Sequence, residues 1–285
     1  MIDLRIGGVP EHFNYPWYLT LKAKKHQQSG INLRWIDFDG GTGAMIEALT
    51  NKTIDLGVVL TEGVVKAIAE GAPLKIIQVY VASPLVWGVH VAATSDLHTA
   101  GDLRGKIAAI SRYGSGSHLM SYVYGQNNQW NTNRDLSFLE IGDLNKGISS
   151  LTQGTSDYFL WERFTTKPFV DQGLVRCIDL CPTPWPCFVI AVHQDFLANH
   201  PEHLESILTT INTETKIFKE RPGLIQALSL RYGQDPDDLR RWLEDTQWSC
   251  SGLTEKALNA VQEELVNLEL ISEKLPHTLF LEKNI

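Results

Sequence analysis

The chain has 285 residues, 43% of them hydrophobic and 20% charged, the makeup of a globular protein with one large core or two smaller ones. A formal net charge of −8, with no basic run beyond Lys22-Ala23-Lys24-Lys25, weighs against a nucleic-acid partner, which needs a positive face. No apolar run approaches the ~20 residues of a membrane helix, so membrane insertion is not expected.

The elements follow from hydrophobic periodicity and from glycine and proline punctuation. The opening Met1–Gly7 reads as a first strand, with its centre at Leu4–Ile6, and not as a secretory signal. As written, that start points to the cytoplasm; removal of an export signal would place the protein in the periplasm instead. A helix is predicted over Tyr15–Gln28, entered through Pro16, followed by a strand at Leu33–Phe38 and a helix at Thr42–Thr50. Next come a strand at Leu56–Leu60, a helix at Glu62–Ala69 stopped by Gly71 and Pro73, and strands at Leu74–Tyr80 and Trp87–Ala92. After Ala93 the alternation resumes with strand Lys106–Ile110, helix Ser117–Tyr124, strand Asp135–Glu140 and helix Leu144–Gln153. Strand Ser156–Trp161, helix Arg163–Gln172, strand Val175–Asp179 and the apolar run Phe188–Val192 complete this part. Beyond His193 four amphipathic helical segments are predicted and no strand: Pro201–Lys219, Leu224–Tyr232, Pro236–Asp245 and Thr254–Leu268. The strands are near-continuous apolar runs, as when helices cover both faces of a sheet, so the class is α/β.

Two strand-to-helix junctions stand out. Ile36–Asp39 runs into Gly40-Gly41-Thr42-Gly43, and Ile107–Ile110 runs into Ser111-Arg112-Tyr113-Gly114-Ser115-Gly116-Ser117. Each aims unpaired backbone N–H groups and small hydroxyls at one point, which suits a carboxylate, sulfonate, phosphate or polar ring. Glycine lets the backbone approach a ligand closely, and Thr42 is placed to cap its helix.

These stretches belong to a wider pattern. It includes Gly7-Gly8-Val9-Pro10 to Tyr15-Pro16-Trp17, the Gly40–Gly43 loop, and Ala48–Thr50 leading to Asp55-Leu56-Gly57-Val58. It continues with Asp102-Leu103-Arg104-Gly105-Lys106-Ile107-Ala108 and with Gly154-Thr155-Ser156-Asp157 running to Trp161-Glu162. In this order the motifs resemble the type II periplasmic-binding-protein superfamily, in the branch that binds nitrate, taurine, aliphatic sulfonates and thiamine precursors. The resemblance implies a two-lobed α/β fold with two interlobe crossings and a helical C-terminal region. Lobe one would be residues 1–92 with 190–285 and lobe two residues 93–189, with crossings near Val89–Ala93 and Phe188–Val192. It further implies a small-molecule ligand gripped in an interlobe cleft by domain closure, and an ABC-type permease as a possible partner. Trp161–Pro168 and Cys181–Cys187 look like an uncharacterised, unexported subgroup. The eukaryotic-type thiamine-pyrimidine synthases share this fold but carry a Cys-Cys-Cys-Phe-Cys run, which this chain lacks.

The candidate ligand-binding residues divide by lobe. In lobe one they are His12, Asn14 and Tyr15 after the first strand, then Gly41, Thr42 and Gly43, then Thr61 and Glu62, where a carboxylate can meet a ligand amine or ring nitrogen. In lobe two they are Ser111, Tyr113, Ser115, Gly116 and Ser117. Trp87, Trp161 and Trp185 can stack on a flat or aliphatic ligand, and Glu162 adjoins Trp161. Packing at a helix start for Tyr15, capping for Glu62 and a core position for each tryptophan are the alternatives. No nucleophile elbow, phosphate loop, dinucleotide fingerprint or zinc-protease motif is present, so no catalytic residue and no cofactor are assigned. A cytosolic enzyme on the same scaffold, in thiamine-precursor or menaquinone-type metabolism, is the rival. Cys177, Cys181 and Cys187 have no zinc spacing and read as buried structural thiols, so no metal is assigned.

Overall fold

The structure, a computed structural model, describes residues 1–24, Gln27 and residues 30–282. The chain forms two compact units, Met1–Ser83 with Trp185–Ile285 and Pro84–Pro184. Unit 1 opens with β1 (Ile2–Gly8), α1 (Tyr15–Ala23), β2 (Ile31–Asp37), α2 (Gly41–Thr50), β3 (Leu56–Leu60), α3 (Thr61–Ala69) and β4 (Leu74–Val81). Unit 2 holds β5 (Val86–Ala92), α4 (Ala100–Leu103), β6 (Ile107–Ile110), α5 (Gly116–Asn127), α6 (Thr132–Asp135), β7 (Ser137–Glu140), α7 (Leu144–Thr152), β8 (Tyr158–Glu162), α8 (Arg163–Asp171) and β9 (Val175–Pro182). The return to unit 1 adds β10 (Phe188–His193), α9 (Gln194–Asn199), α10 (Pro201–Phe218), α11 (Leu224–Tyr232), α12 (Pro236–Asp245) and α13 (Glu255–Asn267).

Each unit is built on a five-stranded sheet, in order β2-β1-β3-β10-β4 and β7-β6-β8-β5-β9. In each, one strand runs against its neighbours, and it is the strand by which the chain enters that unit. β10 is antiparallel to β3 and β4, and β5 to β8 and β9. The N-terminal end of the entering strand therefore lies beside the C-terminal ends of the parallel strands, where loops and helix starts gather. In an open α/β sheet this edge is where ligands bind.

Burial explains the strand sequences. β3 and β10 are covered on both faces, and Val58, Val59, Val189, Ile190 and Val192 have no exposed surface. The core of unit 1 is heavily aromatic, with Trp17, Tyr80, Phe218, Trp242 and Phe280 all closed off from solvent. In unit 2, Phe159 packs with Ala109, Ile148, Leu151 and Val175. Helix starts follow capping chemistry: Asp235 accepts from the Asp237 N–H at 2.7 Å beside Pro236, and Asp143 accepts from the Lys146 N–H at 2.9 Å.

Several expectations shift. Val86–Ala92 pairs with β8 and β9 and so belongs to unit 2, while Phe188–His193 belongs to the first sheet. The unit boundaries thus fall earlier than predicted, at Ser83-Pro84 and Pro184-Trp185. The predicted helix from Tyr15 ends at Ala23 because Lys24 turns left-handed, with φ of 55°; residues 25, 26 and 28 lie outside the described residues. Asp135 closes α6 and accepts from Arg104 Nε at 2.7 Å, so the next strand starts at Ser137 and not at Asp135. Past His193 there is a fifth helix, α9, capped by the His193 side chain, and two isolated bridges, Ile76 to Leu281 and Val81 to Trp248. Cys181 and Cys187 are buried as predicted, whereas Cys177 on β9 is exposed, as is Cys250.

Candidate functional site

In unit 1 the loops after β1, β2 and β3 and the lead into β10 share one sheet edge. Gly41 has φ of +66°, a conformation that favours glycine, and opens α2 behind Gly40. Thr42 does not cap this helix, as its sequence position had predicted. Its hydroxyl instead accepts the Leu60 backbone N–H at 3.0 Å, tying α2 to the end of β3, and its methyl lies 2.6 Å from where a Cβ on Gly63 would stand. Gly43 sits in the first turn of the same helix. Thr61 starts α3 and is fully buried; its hydroxyl donates to the carbonyl of Pro186 at 2.5 Å, and its N–H to that of Cys187 at 3.2 Å.

Beside it, Glu62 is 2% exposed. Its Oε2 accepts the indole N–H of Trp185 at 2.8 Å, and its Oε1 has no hydrogen-bond partner. Burial pushes this carboxyl up to about 7, against the opposing pull of its own backbone N–H and of the indole. Trp185 is itself buried, so its ring is committed to Glu62 and the core.

The residues after β1 divide between core and edge. His12 is 1% exposed, stacks on Phe13 at 4.9 Å and meets the Trp242 ring edge-on at 4.3 Å. That packing drives its imidazole down to about 3, so it is neutral in ordinary buffers. Tyr15 stacks on Tyr18 at 5.4 Å and is nearly buried at the start of α1. Asn14 donates from Nδ2 to the Val9 carbonyl at 2.9 Å, leaving a buried Oδ1 without a partner.

Unit 2 repeats the arrangement with different side chains. Ser117 Oγ accepts the Ser111 N–H at 2.9 Å and lies 3.1 Å from Ser115 Oγ, so three buried hydroxyls knit the turn that opens α5. Ser115 caps that helix, and Gly116 is its first residue. His118 Nδ1 accepts the Gly114 N–H at 3.1 Å, and its ring meets Phe138 at 4.6 Å. Tyr113 is 62% exposed and packs edge-on against His118 at 5.2 Å. On the entering strand, Trp87 stands in register with Glu162 and its ring meets Trp161 at 6.5 Å. Glu162 Oε2 accepts both the N–H and the hydroxyl of Thr165, at 2.7 and 2.8 Å, so this carboxylate caps α8. Trp87 Nε1 is buried and has no partner.

Both units thus end in one motif. A tryptophan on or just before the entering strand stands by a buried glutamate where a parallel strand turns into a helix: Trp185 hydrogen-bonded to Glu62, Trp87 in strand register with Glu162. Solved structures share the architecture around it. The Candida albicans CA3427 gene product, described as a new family with the generic periplasmic-binding-protein fold, is 22% identical over 99% of this chain and 97% of that one, with a TM-score of 0.92. The alkanesulfonate-binding protein SsuA from Xanthomonas axonopodis pv. citri, bound to MOPS, is 20% identical over 94% of each chain, with a TM-score of 0.81. The periplasmic aliphatic sulphonate binding protein SsuA from Escherichia coli is 18% identical over 99% of this chain and 92% of that one, at 0.75.

This chain has the type II periplasmic-binding-protein fold.

A family model described as Ca3427-like PBP matches residues 87–180, nearly the whole of unit 2. No curated protein matches. Within this fold, the sequence-predicted residues collect at the strand-end edge of their own unit, except that His12 and Tyr15 turn into the aromatic core. Sequence reading missed the unsatisfied Oδ1 of Asn14, which depends on the fold of the loop after β1, and the pairing of Trp185 with Glu62, which depends on β10 inserting between β3 and β4. No helix among the described residues is long and apolar enough to cross a membrane. Among the described residues the cysteines gather no metal-ligand set, but His200, Glu202 and His203 bring their donor atoms within 4.8 Å of one another. The spacing His200-Pro201-Glu202-His203 was the available signal; the positive end of α10 at that point opposes a cation.

Proposed function

We propose that this protein is a solute-binding protein. It takes a small polar molecule between the strand-end edges of its two units, which close on it about the paired crossings at Ser83-Pro84 and Pro184-Trp185. The observation that carries the reading is the repeated edge: each unit presents a strand-to-helix turn rich in glycine or serine, with a tryptophan hydrogen-bonded to, or in strand register with, a buried glutamate. Such an edge suits a polar solute held by oriented backbone and hydroxyl dipoles. The sulfonate-binding proteins of the same fold support the reading, and an ABC-type permease is the partner class that it implies.

Glu62 favours a second reading, an enzyme on this scaffold. A carboxyl pushed up to about 7 exchanges protons near neutrality, as an acid or base must. One experiment separates the two. The protein is purified from its source cells and its bound small molecules identified by native mass spectrometry, followed by thermal-shift screening of sulfonates, amines, pyrimidines and small carboxylates. A solute that raises the melting temperature and is recovered unchanged after long incubation supports the binder. Conversion of that solute to a product supports the enzyme, and no stabilisation by any class overturns both.

A further inference from the structure

The junction between α9 and α10 sets three donor side chains within four consecutive residues, His200-Pro201-Glu202-His203. His200 ends one helix and begins the next. Its N–H donates to the Phe196 carbonyl at 2.9 Å, and its own carbonyl accepts the Leu204 N–H at 3.1 Å. Pro201 then fixes the first position of α10, so the backbone that carries the donors is set before any ion arrives. His200 and His203 are three positions apart and share one side of the junction, with ring centroids 6.0 Å from each other. Nδ1 of His203 is shut off from solvent, makes no hydrogen bond and stands 2.8 Å from Oε1 of Glu202. Neighbouring ligand atoms on one ion bound at ~2.1 Å are ~3 Å apart, so this pair already has a chelating separation. One donor from each of the three residues lies within 4.8 Å of the others, and side-chain rotation of about 1 Å gathers them on one ion.

We propose that His200, Glu202 and His203 bind a divalent transition-metal ion of the zinc class, at a site separate from the strand-end edge. Two imidazoles and one carboxylate are a donor set that zinc takes in open sites, with the fourth position left to water. Imidazole nitrogen selects against magnesium and calcium, which require oxygen ligands. The positive start of α10 opposes a cation, but Glu202 places a carboxylate in that same turn and offsets it. The ion reaches the site directly, because the Glu202 side chain is 67% exposed. His200 also lines a cavity of about 230 Å³ with Arg5, Asp55, His193, Asp195 and Asn199, which gives the bound water room. The polar groups of that cavity are committed elsewhere: Asp195 to Lys52, and His193 Nδ1 to the Asp195 N–H at 3.0 Å. Asp55 leads into β3 and His193 ends the antiparallel β10, so the cavity lies at the sheet edge opposite the strand-end loops. An ion here pins α9 to α10 within unit 1. The assignment goes beyond the solute-binding reading and does not rest on it.

The test is isothermal titration calorimetry of Zn²⁺, and separately of Mg²⁺, into the chelator-stripped full chain and into H200A and H203A. A second readout is the protection of His200 and His203 from diethylpyrocarbonate by Zn²⁺, followed by mass spectrometry on the wild-type protein. The expected result is one equivalent of Zn²⁺ bound at micromolar concentration or below, with Mg²⁺ giving no binding. Each variant weakens that equivalent tenfold or more, and Zn²⁺ protects both histidines. If a variant does not fold, the protection experiment on the wild-type protein decides alone. Zinc affinity unchanged in both variants, or histidines that Zn²⁺ leaves unprotected, overturns the proposal and assigns any bound zinc to adventitious donors such as the exposed Cys177 and Cys250. Absence of zinc binding to the wild-type protein overturns it as well, and leaves the solute-binding reading standing.

Discussion

Replacing Glu62 by Gln should uncouple the stability of unit 1 from pH across the neutral range. In the unfolded chain this carboxyl titrates at its ordinary 4.5, and in the fold burial lifts it to about 7. A raised value means that the fold prefers the protonated form. Its contribution is therefore fully present below 4.5 and is lost as pH rises through about 7. With each pKa unit corresponding to about 1.4 kcal/mol, the loss comes to about 3 kcal/mol between pH 4.5 and 7. Glutamine keeps the acceptor for the Trp185 indole and cannot ionise. The assay is denaturant unfolding of both proteins at half-unit steps from pH 5 to 8, reading the difference between them. Every other titrating group is common to both and cancels. Hydrogen exchange of the β3 and β10 amides assigns the change to unit 1 if the two units unfold separately. The variant should gain on the wild type by about 2.5 kcal/mol between pH 5 and 8, the first part of the loss lying below pH 5. A difference that stays flat from pH 5 to 8 would show that Glu62 is hydrated or already paired, and would refute the reasoning.

Three further outcomes follow from the same structure. Trp185→Phe removes the indole donor to Glu62 and should move the pH-dependent loss to still higher pH, at a cost of about 2 kcal/mol at pH 8, read in the same titration. His12→Phe should flatten the acid limb: the imidazole is held down at about 3 against its ordinary 6.5, so its contribution is complete above pH 6.5 and is lost as pH falls towards 3. The acid-unfolding midpoint of the variant should therefore lie lower, and an unchanged midpoint would mean that His12 protonates without cost. Gly147→Ala gains about 1 kcal/mol in helix propensity, yet its Cβ would stand 2.4 Å from Cε1 of the fully buried Phe159. Overpacking of about 1–3 kcal/mol should win, so the melting temperature of unit 2 should fall; a rise would show that Phe159 repacks freely.

Much of the fold was legible in the chain because it is written in local terms. The apolar runs Leu56–Leu60 and Phe188–Val192 are strands buried on both faces, Pro236 ahead of two aspartates is a helix start, and Gly40–Gly43 and Ser111–Ser117 are strand-to-helix turns. These signals depend on neighbours within a few residues, and the structure keeps them nearly to the residue. They also located the strand-end loops, since in an α/β chain the loop after each parallel strand lies at the same edge.

Tertiary pairing decided the rest. Whether β5 and β10 serve the first or second sheet is set by hydrogen bonds to strands about 70 and 130 residues away, which no local pattern encodes. That choice puts Trp185 onto Glu62 and Trp87 beside Glu162, and turns two unremarkable glutamates into different groups. Glu162 spends its carboxylate capping its own helix, whereas Glu62 is sealed under an indole with one oxygen unmet. Residue type fixed what each side chain can do; desolvation by the surrounding fold, a sum over atoms from the whole unit, decided which of them is left wanting a partner.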